Sequence, residues 1–222
     1  MNSSPSLRRR LISIASRYKW QLVTTGAVLA LALVGALFVI AGQQKAPVPP
    51  GALGPSGLAD GQVLLVEYVD FECEACGALS PYVQAIREDF PDEVTFQTRH
   101  YPQPSHGNSM NAALAVEAAR GQSKGDEMIE QLFKTQAVWG ERGRQSQAGY
   151  FRELAQKLQL DLNRYDADLT DPSTRERIDT DIAMGRSLGI QGTPTFFLDG
   201  EQVQLHAVED LRSAVESALQ SR

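Results

Sequence analysis

The chain has 222 residues, of which 42% are hydrophobic and 22% are charged, and its formal net charge is −6. This composition supports a buried core and excludes a wholly disordered chain or a fibrous repeat. Two cysteines are too few for a disulfide scaffold or a four-thiolate zinc site, and the acidic balance argues against a general nucleic-acid binder.

The charge is divided unevenly along the chain. Residues 1–20 carry five positive charges and no negative ones, whereas the part from Ala46 onward has 15 Lys+Arg against 27 Asp+Glu, a net charge of −12. Between them, residues 22–42 are uncharged and would span about 30 Å as a helix, the thickness of a bilayer core. The positive flank predicts that residues 1–21 stay in the cytoplasm while the remainder crosses the membrane.

The sequence leaves two alternatives to a single-pass signal anchor. Residues 22–42 could belong to a cleaved signal peptide, with Val39–Ala41 as a tolerable cleavage site, although such apolar regions normally run about 7 to 15 residues. A core helix of a soluble protein is the other, but nothing charged marks a solvent-facing side. Residues 43–61 contain four prolines and predict an extended linker, so the folded domain is expected over residues 62–222.

The domain opens with the pattern strand, helix, strand. Val63–Val69 is a short, β-branched apolar run that predicts a strand buried on both faces. Apolar residues at helical spacing predict a helix from about Cys73, with a kink at Pro81, and Val94–Thr98 predicts the second strand. The apolar stripe of this helix consists of Leu79, Tyr82, Val83, Ile86 and Phe90.

The second half predicts helices and then a hairpin. Residues 102–190 carry mainly helical patterns, which indicate a long helical insertion. Thr195–Leu198 predicts a strand, Asp199-Gly200 a two-residue turn, and the segment with Val203 and Leu205 the return strand. An amphipathic helix over residues 208–219 closes the chain.

Cys73-Glu74-Ala75-Cys76 follows the first strand and opens the first helix. One helical turn brings the two sulfurs within bonding range, and the positive helix end could lower the pKa of Cys73 from about 8.5 to about 7. Cys76 would then resolve a mixed disulfide. A metal site or an inert bridge are the alternatives, but a metal would have to recruit distant histidines, and the strand-to-helix position favours redox chemistry.

Together these features resemble the thioredoxin superfamily, and specifically its DsbA-like branch of bacterial thiol:disulfide oxidoreductases. The resemblance rests on the run VEYVDFECEACGALSPY, the helical insertion, and the segment GTPTF at residues 192–196. It covers about residues 62–222. It implies an α/β, thioredoxin-like fold with a helical insertion at about residues 102–190, preceded by one N-terminal transmembrane helix, and a redox pair that needs no cofactor or metal.

The resemblance also assigns roles to residues outside the dithiol. Glu67 matches a buried acid whose pKa burial should raise, so that it would accept a proton from Cys76; a solvent-facing Glu on an edge strand is the alternative. Pro194 matches a cis-proline, and Thr193 matches the residue whose backbone pairs with an extended substrate. An ordinary turn proline is the alternative for Pro194.

The chain departs from the strongly oxidising members of that branch between its cysteines. Those proteins often carry Pro-His there, whereas this chain has Glu74-Ala75. Glu74, with Asp70 and Glu72, places negative charge near Cys73, so we expect a less stabilised thiolate and a less oxidising disulfide. His100 and His106 are interpreted as surface or loop-capping residues rather than catalytic ones.

The sequence therefore predicts an extracytoplasmic thiol:disulfide oxidoreductase anchored in the bacterial cell membrane. Its expected substrates are cysteine-containing extracytoplasmic proteins, and oxidative protein folding is its expected role. The resemblance implies a membrane redox partner, either DsbB-like or vitamin K epoxide reductase-like. Two cysteines do not decide between an oxidase and a reductase or isomerase, and a non-enzymatic peptide-binding or chaperone domain with a structural disulfide is the second hypothesis.

Overall fold

The computed structural model describes residues 62–140, 143 and 145–222. The predicted cytoplasmic segment, transmembrane helix and linker, at residues 1–61, lie outside these ranges. Within the ranges, no helix combines the length and the apolar character that crossing a bilayer requires.

Four strands of the described chain form one mixed sheet. They are β1 (Val63–Val69), β2 (Val94–His100), β3 (Thr195–Leu198) and β4 (Glu201–Val203), in the spatial order β2-β1-β3-β4. β1 is parallel to β2 and antiparallel to β3, and β3 is antiparallel to β4. Apolar side chains pack on both faces of the sheet at β1, so its apolar run is buried on both faces, as the sequence predicts.

The β3–β4 hairpin has the predicted two-residue turn. Asp199 and Gly200 have φ values of 48° and 88°, the left-handed conformations that a tight hairpin turn requires. The Asp199 amide donates to the carbonyl of Leu64 at 2.9 Å, which ties the turn to β1. β4 ends at Val203, so Leu205 lies beyond the strand rather than in it, where it packs against the core.

Most of the described chain is helical, and the helix that follows β1 begins and continues as predicted. It starts directly after Cys73 and runs through Pro81. Tyr82 is 48% exposed because it lies at the edge of the predicted apolar stripe rather than at its centre. The helices are α1 (Glu74–Asp89), α2 (Ser109–Arg120), α3 (Gly125–Lys134), α4 (Gln136–Trp139), α5 (Ala148–Lys157), α6 (Leu162–Thr170), α7 (Pro172–Ser187) and α8 (Glu209–Gln220).

Alternation along β1 divides the core between the two faces of the sheet. Val63 and Leu65 pack with apolar side chains of α1 and α8. Val66 and Tyr68 point the other way and pack beside Ile190. The period of two places Glu67 on the α1 face, directly beyond Leu65. An acidic side chain therefore lies under the helix that begins at the dithiol.

The insertion has its own core, built around the alanine-rich helix α2. Small side chains let neighbouring helices approach α2 closely, and the Trp139 ring fills the space beside Phe151 at a centroid distance of 4.9 Å. The indole nitrogen of Trp139 donates to the Leu132 carbonyl at 3.0 Å. This core continues through Phe71 to Cys76, so the dithiol segment lies where the sheet meets the insertion.

A buried charged cluster joins the end of β2 to the insertion. His100 is fully buried, and its Nε2 lies 2.6 Å from Glu117 of α2. Arg177 of α7 contacts the same carboxylate at 2.5 Å. Burial alone would raise the pKa of Glu117, but the hydrogen bonds from His100 and Arg177 lower it to about 2. The interpretation of His100 as a surface or loop-capping residue is therefore wrong.

Candidate active site

The dithiol lies at the turn between β1 and α1. Cys73 is the N-cap residue of α1, and its backbone amide donates to the Asp70 carbonyl at 3.1 Å. Cys73 is partly exposed, whereas Cys76, one helical turn later, is fully buried. Both are free thiols, so the structure describes the reduced pair. Only the first sulfur can meet a substrate without movement of the helix.

The two thiols have opposite acidities. The pKa of Cys73 is lowered to about 5, first by a hydrogen bond from the Cys76 thiol and then, against the effect of burial, by bonds from backbone amides and from Thr193. Burial raises the pKa of Cys76, and its hydrogen bond to Cys73 and the negative charge of Glu67 raise it further. One sulfur is thus a thiolate at neutral pH while its neighbour holds a proton.

The acidic neighbours of Cys73 do not abolish this stabilisation, and a disulfide less oxidising than in the strongest oxidants stays a prediction. Asp70 and Glu72 are both buried, and their carboxylates are engaged by donors of the following segments. Asp70 Oδ2 accepts from the Gln103 amide at 2.8 Å, and Glu72 Oε2 accepts from the Asn108 amide at 2.5 Å. The pKa of Cys73 falls below the value of about 7 that we expect from the helix end alone, first because of the hydrogen bond from Cys76. Glu74 is exposed.

Glu67 lies beneath α1, on a strand with neighbours on both sides. Its register partners are Thr98 in β2 and Phe196 in β3, so the alternative of a solvent-facing edge residue is wrong. Burial raises the pKa of Glu67 to about 7, against an opposing effect of the Arg87 guanidinium. Its charge in turn contributes to the raised pKa of Cys76. The carboxyl can therefore exchange a proton near neutral pH close to the buried thiol.

The loop before β3 contacts the reactive sulfur. The peptide bond between Thr193 and Pro194 is cis. The Thr193 carbonyl lies 3.4 Å from Cys73 Sγ. The structure thus brings Thr193 and Pro194 to Cys73, although 120 positions separate Cys73 from Thr193 in the chain.

Two residues for which the sequence predicted no role in the site also reach it. Gln136 of α4 donates through Nε2 to the carbonyls of Phe71 and Cys73, at 2.8 and 2.9 Å. His106 lines a cavity of about 810 Å³ together with Cys73. No sequence motif marks Gln136, because its contact depends on how the insertion folds back. The sequence indicated a surface or loop-capping residue for His106, because the contact with this cavity depends on how the loop after β2 folds.

Among the described residues, no group of three or more His, Cys, Asp or Glu side chains could hold a metal ion. Cys73 and Cys76 face each other and the Thr193–Pro194 loop rather than a set of nitrogen or oxygen ligands. The arrangement fits thiol chemistry, which requires one accessible thiolate and one protonated partner within bonding range.

Solved structures with the same architecture include thiol oxidoreductases. A thioredoxin-like oxidoreductase from Silicibacter pomeroyi superposes with a TM-score of 0.63 at 25% identity, over 78% of this chain and 99% of that one. BdbD from Bacillus subtilis gives 0.62 at 22% identity, over 74% and 91%. The oxidoreductase DsbA from Xylella fastidiosa gives 0.62 at 19% identity, over 74% and 88%. These likenesses show a DsbA-like fold.

The curated sequence relatives are much longer proteins than this chain. The chain is 35% identical over 158 residues to the Na(+)/H(+) antiporter NhaA of Herminiimonas arsenicoxydans, covering 71% of this chain and 24% of the antiporter. It is 30% identical over 195 residues to NhaA 1 of Mycobacterium sp. strain KMS. The chain thus spans about a quarter of the length of the curated relatives it matches. The thioredoxin family model matches residues 56–217, most of the chain, and the protein therefore belongs to the thioredoxin family, with the DsbA-like form of its fold.

Proposed function

We propose that this protein is a membrane-tethered, extracytoplasmic thiol:disulfide oxidoreductase that exchanges disulfides with proteins through Cys73 and Cys76. One observation carries the proposal: two thiols one helical turn apart have opposite environments. Cys73 is partly exposed with a pKa lowered to about 5, whereas Cys76 is buried with a raised pKa. A structural bridge does not require this difference in pKa and exposure between its two sulfurs, whereas disulfide exchange depends on it.

In the oxidising direction, a substrate thiolate attacks Sγ of Cys73 in the Cys73–Cys76 disulfide. The bond between the two protein sulfurs breaks, a mixed disulfide between substrate and Cys73 forms, and Cys76 leaves as a thiolate that takes up a proton. A second substrate thiolate then attacks the substrate sulfur of the mixed disulfide and releases the Cys73 thiolate. The substrate loses two electrons and the protein dithiol gains them.

Glu67 is the proposed proton carrier for Cys76. Its raised pKa of about 7 lets the carboxyl hold or release a proton under the conditions in which disulfides exchange. When Cys76 leaves, the protonated carboxyl can supply the proton; when Cys76 attacks, the carboxylate can accept it, directly or through water. The position of Glu67 on the α1 face of β1 and its electrostatic effect on Cys76 support this role.

Thr193 is the proposed contact for substrate backbone. Its carbonyl lies 3.4 Å from Cys73 Sγ, so an extended peptide whose cysteine reaches Cys73 would pass beside the Thr193–Pro194 loop. Strand addition of this kind uses main-chain hydrogen bonds and tolerates varied side chains. We propose cysteine-containing extracytoplasmic proteins as substrates for that reason.

The location and the redox partner rest on the sequence. A basic flank followed by an uncharged segment at residues 22–42 supports a single-pass anchor with the catalytic domain outside the cytoplasm. A membrane oxidase, DsbB-like or vitamin K epoxide reductase-like, would reoxidise the dithiol. Antiport belongs to the longer relatives, of which this chain matches about a quarter, and we propose only the thiol chemistry for it.

Turnover of reduced, unfolded ribonuclease in glutathione buffer tests the catalytic role. Wild-type protein should accelerate recovery of ribonuclease activity, Cys73→Ser should abolish the acceleration, and Cys76→Ser should accumulate a mixed disulfide with substrate. Absence of acceleration in the wild type would favour a binding or chaperone domain. The reduction potential in the same buffers separates an oxidase from a reductase or isomerase.

Membrane attachment has a separate test on the full chain. Carbonate extraction of bacterial membranes should leave the protein in the pellet. N-terminal sequencing of this protein should find residues that precede the segment 22–42. A soluble protein whose N-terminus follows Ala41 would instead identify residues 22–42 as part of a cleaved signal peptide.

A further inference from the structure

Asp70 holds His106 in one orientation beside the dithiol. His106 Nδ1 lies 2.7 Å from Asp70 Oδ2. The same carboxylate accepts from the Gln103 amide and the Ser109 hydroxyl, at 2.8 and 2.9 Å, and its other oxygen accepts from the Glu72 amide at 2.9 Å. A carboxylate surrounded by donors is an acceptor, so Nδ1 of His106 must carry a proton. Nε2 is then the nitrogen that gains or loses charge.

The free side of His106 opens into the cavity that contains Cys73. The side chain is 31% exposed, and it lines that cavity with Cys73, Glu72, Glu74 and Gln136. Of the described residues that line the cavity, His106 is the one that can carry a positive charge. The loop between β2 and α2 therefore supplies a cation to the site, where the residues between the cysteines supply a carboxylate.

We propose that His106, positioned by Asp70, is a cationic group that stabilises the Cys73 thiolate and thereby the reduced state of the dithiol. The inference rests on the proposed function and adds two residues to it, Asp70 and His106. Asp70 fixes the ring and His106 acts on the sulfur through charge. Stabilising the thiolate favours reduction of the Cys73–Cys76 disulfide, so the pair makes the protein a stronger oxidant.

The charges around His106 favour its protonated form. Burial alone would lower the pKa of His106, but the hydrogen bond and charge of Asp70, with the charges of Glu72 and Cys73, raise it on balance. Across the ring, a second cavity is lined from α7 by Arg175, Asp179 and Arg186. Arg175 is paired with Asp179 at 3.0 Å, which reduces its repulsion of the imidazolium.

Linkage makes this interaction measurable from both sides. If the His106 charge stabilises the Cys73 thiolate, the thiolate must stabilise the His106 charge by the same free energy. In His106→Gln, ultraviolet titration of the reduced protein should therefore show a pKa of Cys73 raised by at least about 0.5, because the thiolate loses a nearby opposite charge. In Cys73→Ser, NMR titration should show the pKa of His106 lowered by a matching amount.

The equilibrium with glutathione should follow the same change. Because a pKa difference of about 0.5 is about a threefold change in an equilibrium constant, His106→Gln should make the disulfide about threefold less readily reduced at pH 7. His206→Gln is the matched control, since His206 is exposed in the loop before α8, and it should leave both the titration and the equilibrium unchanged.

The outcomes separate this inference from the proposed function. Unchanged Cys73 titration in His106→Gln, with wild-type turnover of ribonuclease intact, would overturn the role of His106 and leave the oxidoreductase in place. Reciprocal pKa changes in a protein without turnover would support the His106–Cys73 interaction and overturn the function. If His106→Gln does not fold, the Cys73→Ser arm decides alone, since it leaves Asp70 and His106 in place; an unchanged His106 titration there would overturn the inference.

Discussion

The side-chain amide of Gln136 donates to the main-chain carbonyl of Cys73 at 2.9 Å, across 63 positions of sequence. It also donates to the Phe71 carbonyl at 2.8 Å. The insertion therefore fixes the backbone that presents the nucleophile. Both carbonyls lie in the turn after β1, where they have no hydrogen-bond donor from a neighbouring strand of the described chain. Gln136 thus couples the folding of the insertion to the geometry of the dithiol.

Gly77 provides a test of that coupling. A Cβ at this position would lie 2.2 Å from Gln136 Oε1, so Gly77→Ala must displace the amide. We expect Gln136→Ala to lower the free energy of unfolding by about 1 to 3 kcal/mol, the value of two hydrogen bonds, and Gly77→Ala to lower it as well. In the Gln136→Ala background, Gly77→Ala should instead be stabilising, because the clash is gone and Ala favours a helix by about 1 kcal/mol.

Urea unfolding of the four proteins measures this cycle. Gly149→Ala is the matched control, since a Cβ on Gly149 in α5 meets nothing within 4 Å. It should show only the helix-propensity effect in either background. Additive effects of Gly77→Ala and Gln136→Ala would contradict the proposed displacement.

Alkylation of Cys73 should depend on pH with a midpoint near 5 in the reduced wild type, because its pKa is lowered to about 5. Cys76 should stay unmodified under the same conditions, since it is fully buried with a raised pKa. The hydrogen bond from Cys76 is the largest cause of the lowered value. Cys76→Ala should therefore raise the midpoint, and Cys76→Ser, which retains a hydroxyl donor, should raise it less.

Iodoacetamide labelling rates across pH, followed by mass spectrometry, check both statements. Equal midpoints in the Ala and Ser variants would show that a hydrogen bond from position 76 is not the source. A midpoint of about 8.5 in the wild type would contradict the stabilised thiolate altogether.

Local patterns predicted much of the fold, because the strands and the first helix follow from the spacing of apolar and turn residues that are close in sequence. The apolar run of β1, the start of α1 after Cys73 and the Asp199-Gly200 turn all appear where expected. The charged cluster around His100 was not predicted, because the sequence around a histidine at the end of a strand does not indicate that Glu117, in a later helix, is its partner.

The site divides in the same way. Cys73 and Cys76 are found from spacing, and Glu67 from the resemblance to the DsbA-like branch. The acidity of Cys73 could not be predicted in full, because its largest cause is a hydrogen bond from Cys76 and another is a contact with Thr193, which lies 120 positions away in the chain. Charges counted along the sequence do not reveal these hydrogen bonds, which stabilise the thiolate.

The buried cluster around Glu117 should make the protein sensitive to acid. The pKa of this carboxyl is lowered to about 2, so its contribution is present above its unfolded pKa of 4.5 and is lost as the pH falls toward 2. Glu117→Gln should lower the free energy of unfolding at pH 7 by about 2 to 4 kcal/mol, because His100 and Arg177 lose a charged partner. Below pH 4.5 the difference should shrink.

Urea unfolding at several pH values measures the effect. Glu127→Gln is a suitable control, since Glu127 is a partly exposed acid paired with Lys124 on the surface and should change stability little at any pH. A difference between wild type and Glu117→Gln that stays constant from pH 7 to pH 3 would contradict the role of ionised Glu117.

Glu67 should have the opposite pH dependence. Its pKa is raised from 4.5 to about 7 by burial, so the folded protein binds this proton more tightly than the unfolded chain does. The contribution of Glu67 to the free energy of unfolding is then greatest below pH 4.5, declines as the pH rises to about 7, and stays level above that value. Glu67→Gln removes the buried charge and should be more stable than the wild type by up to about 3 kcal/mol at pH 8, with no difference near pH 4.

The same variant separates stability from catalysis. Release of glutathione from a Cys73 mixed disulfide requires deprotonation of Cys76, so its rate in the wild type should rise through pH 7 as the Glu67 carboxyl ionises. Glu67→Gln should be slower and should lack that rise. Glu88→Gln, an exposed acid lining the same cleft beside α1, is the matched control and should keep the wild-type profile. An unchanged profile in Glu67→Gln would remove Glu67 from the proton path, because the buried thiol would then lose its proton by another route.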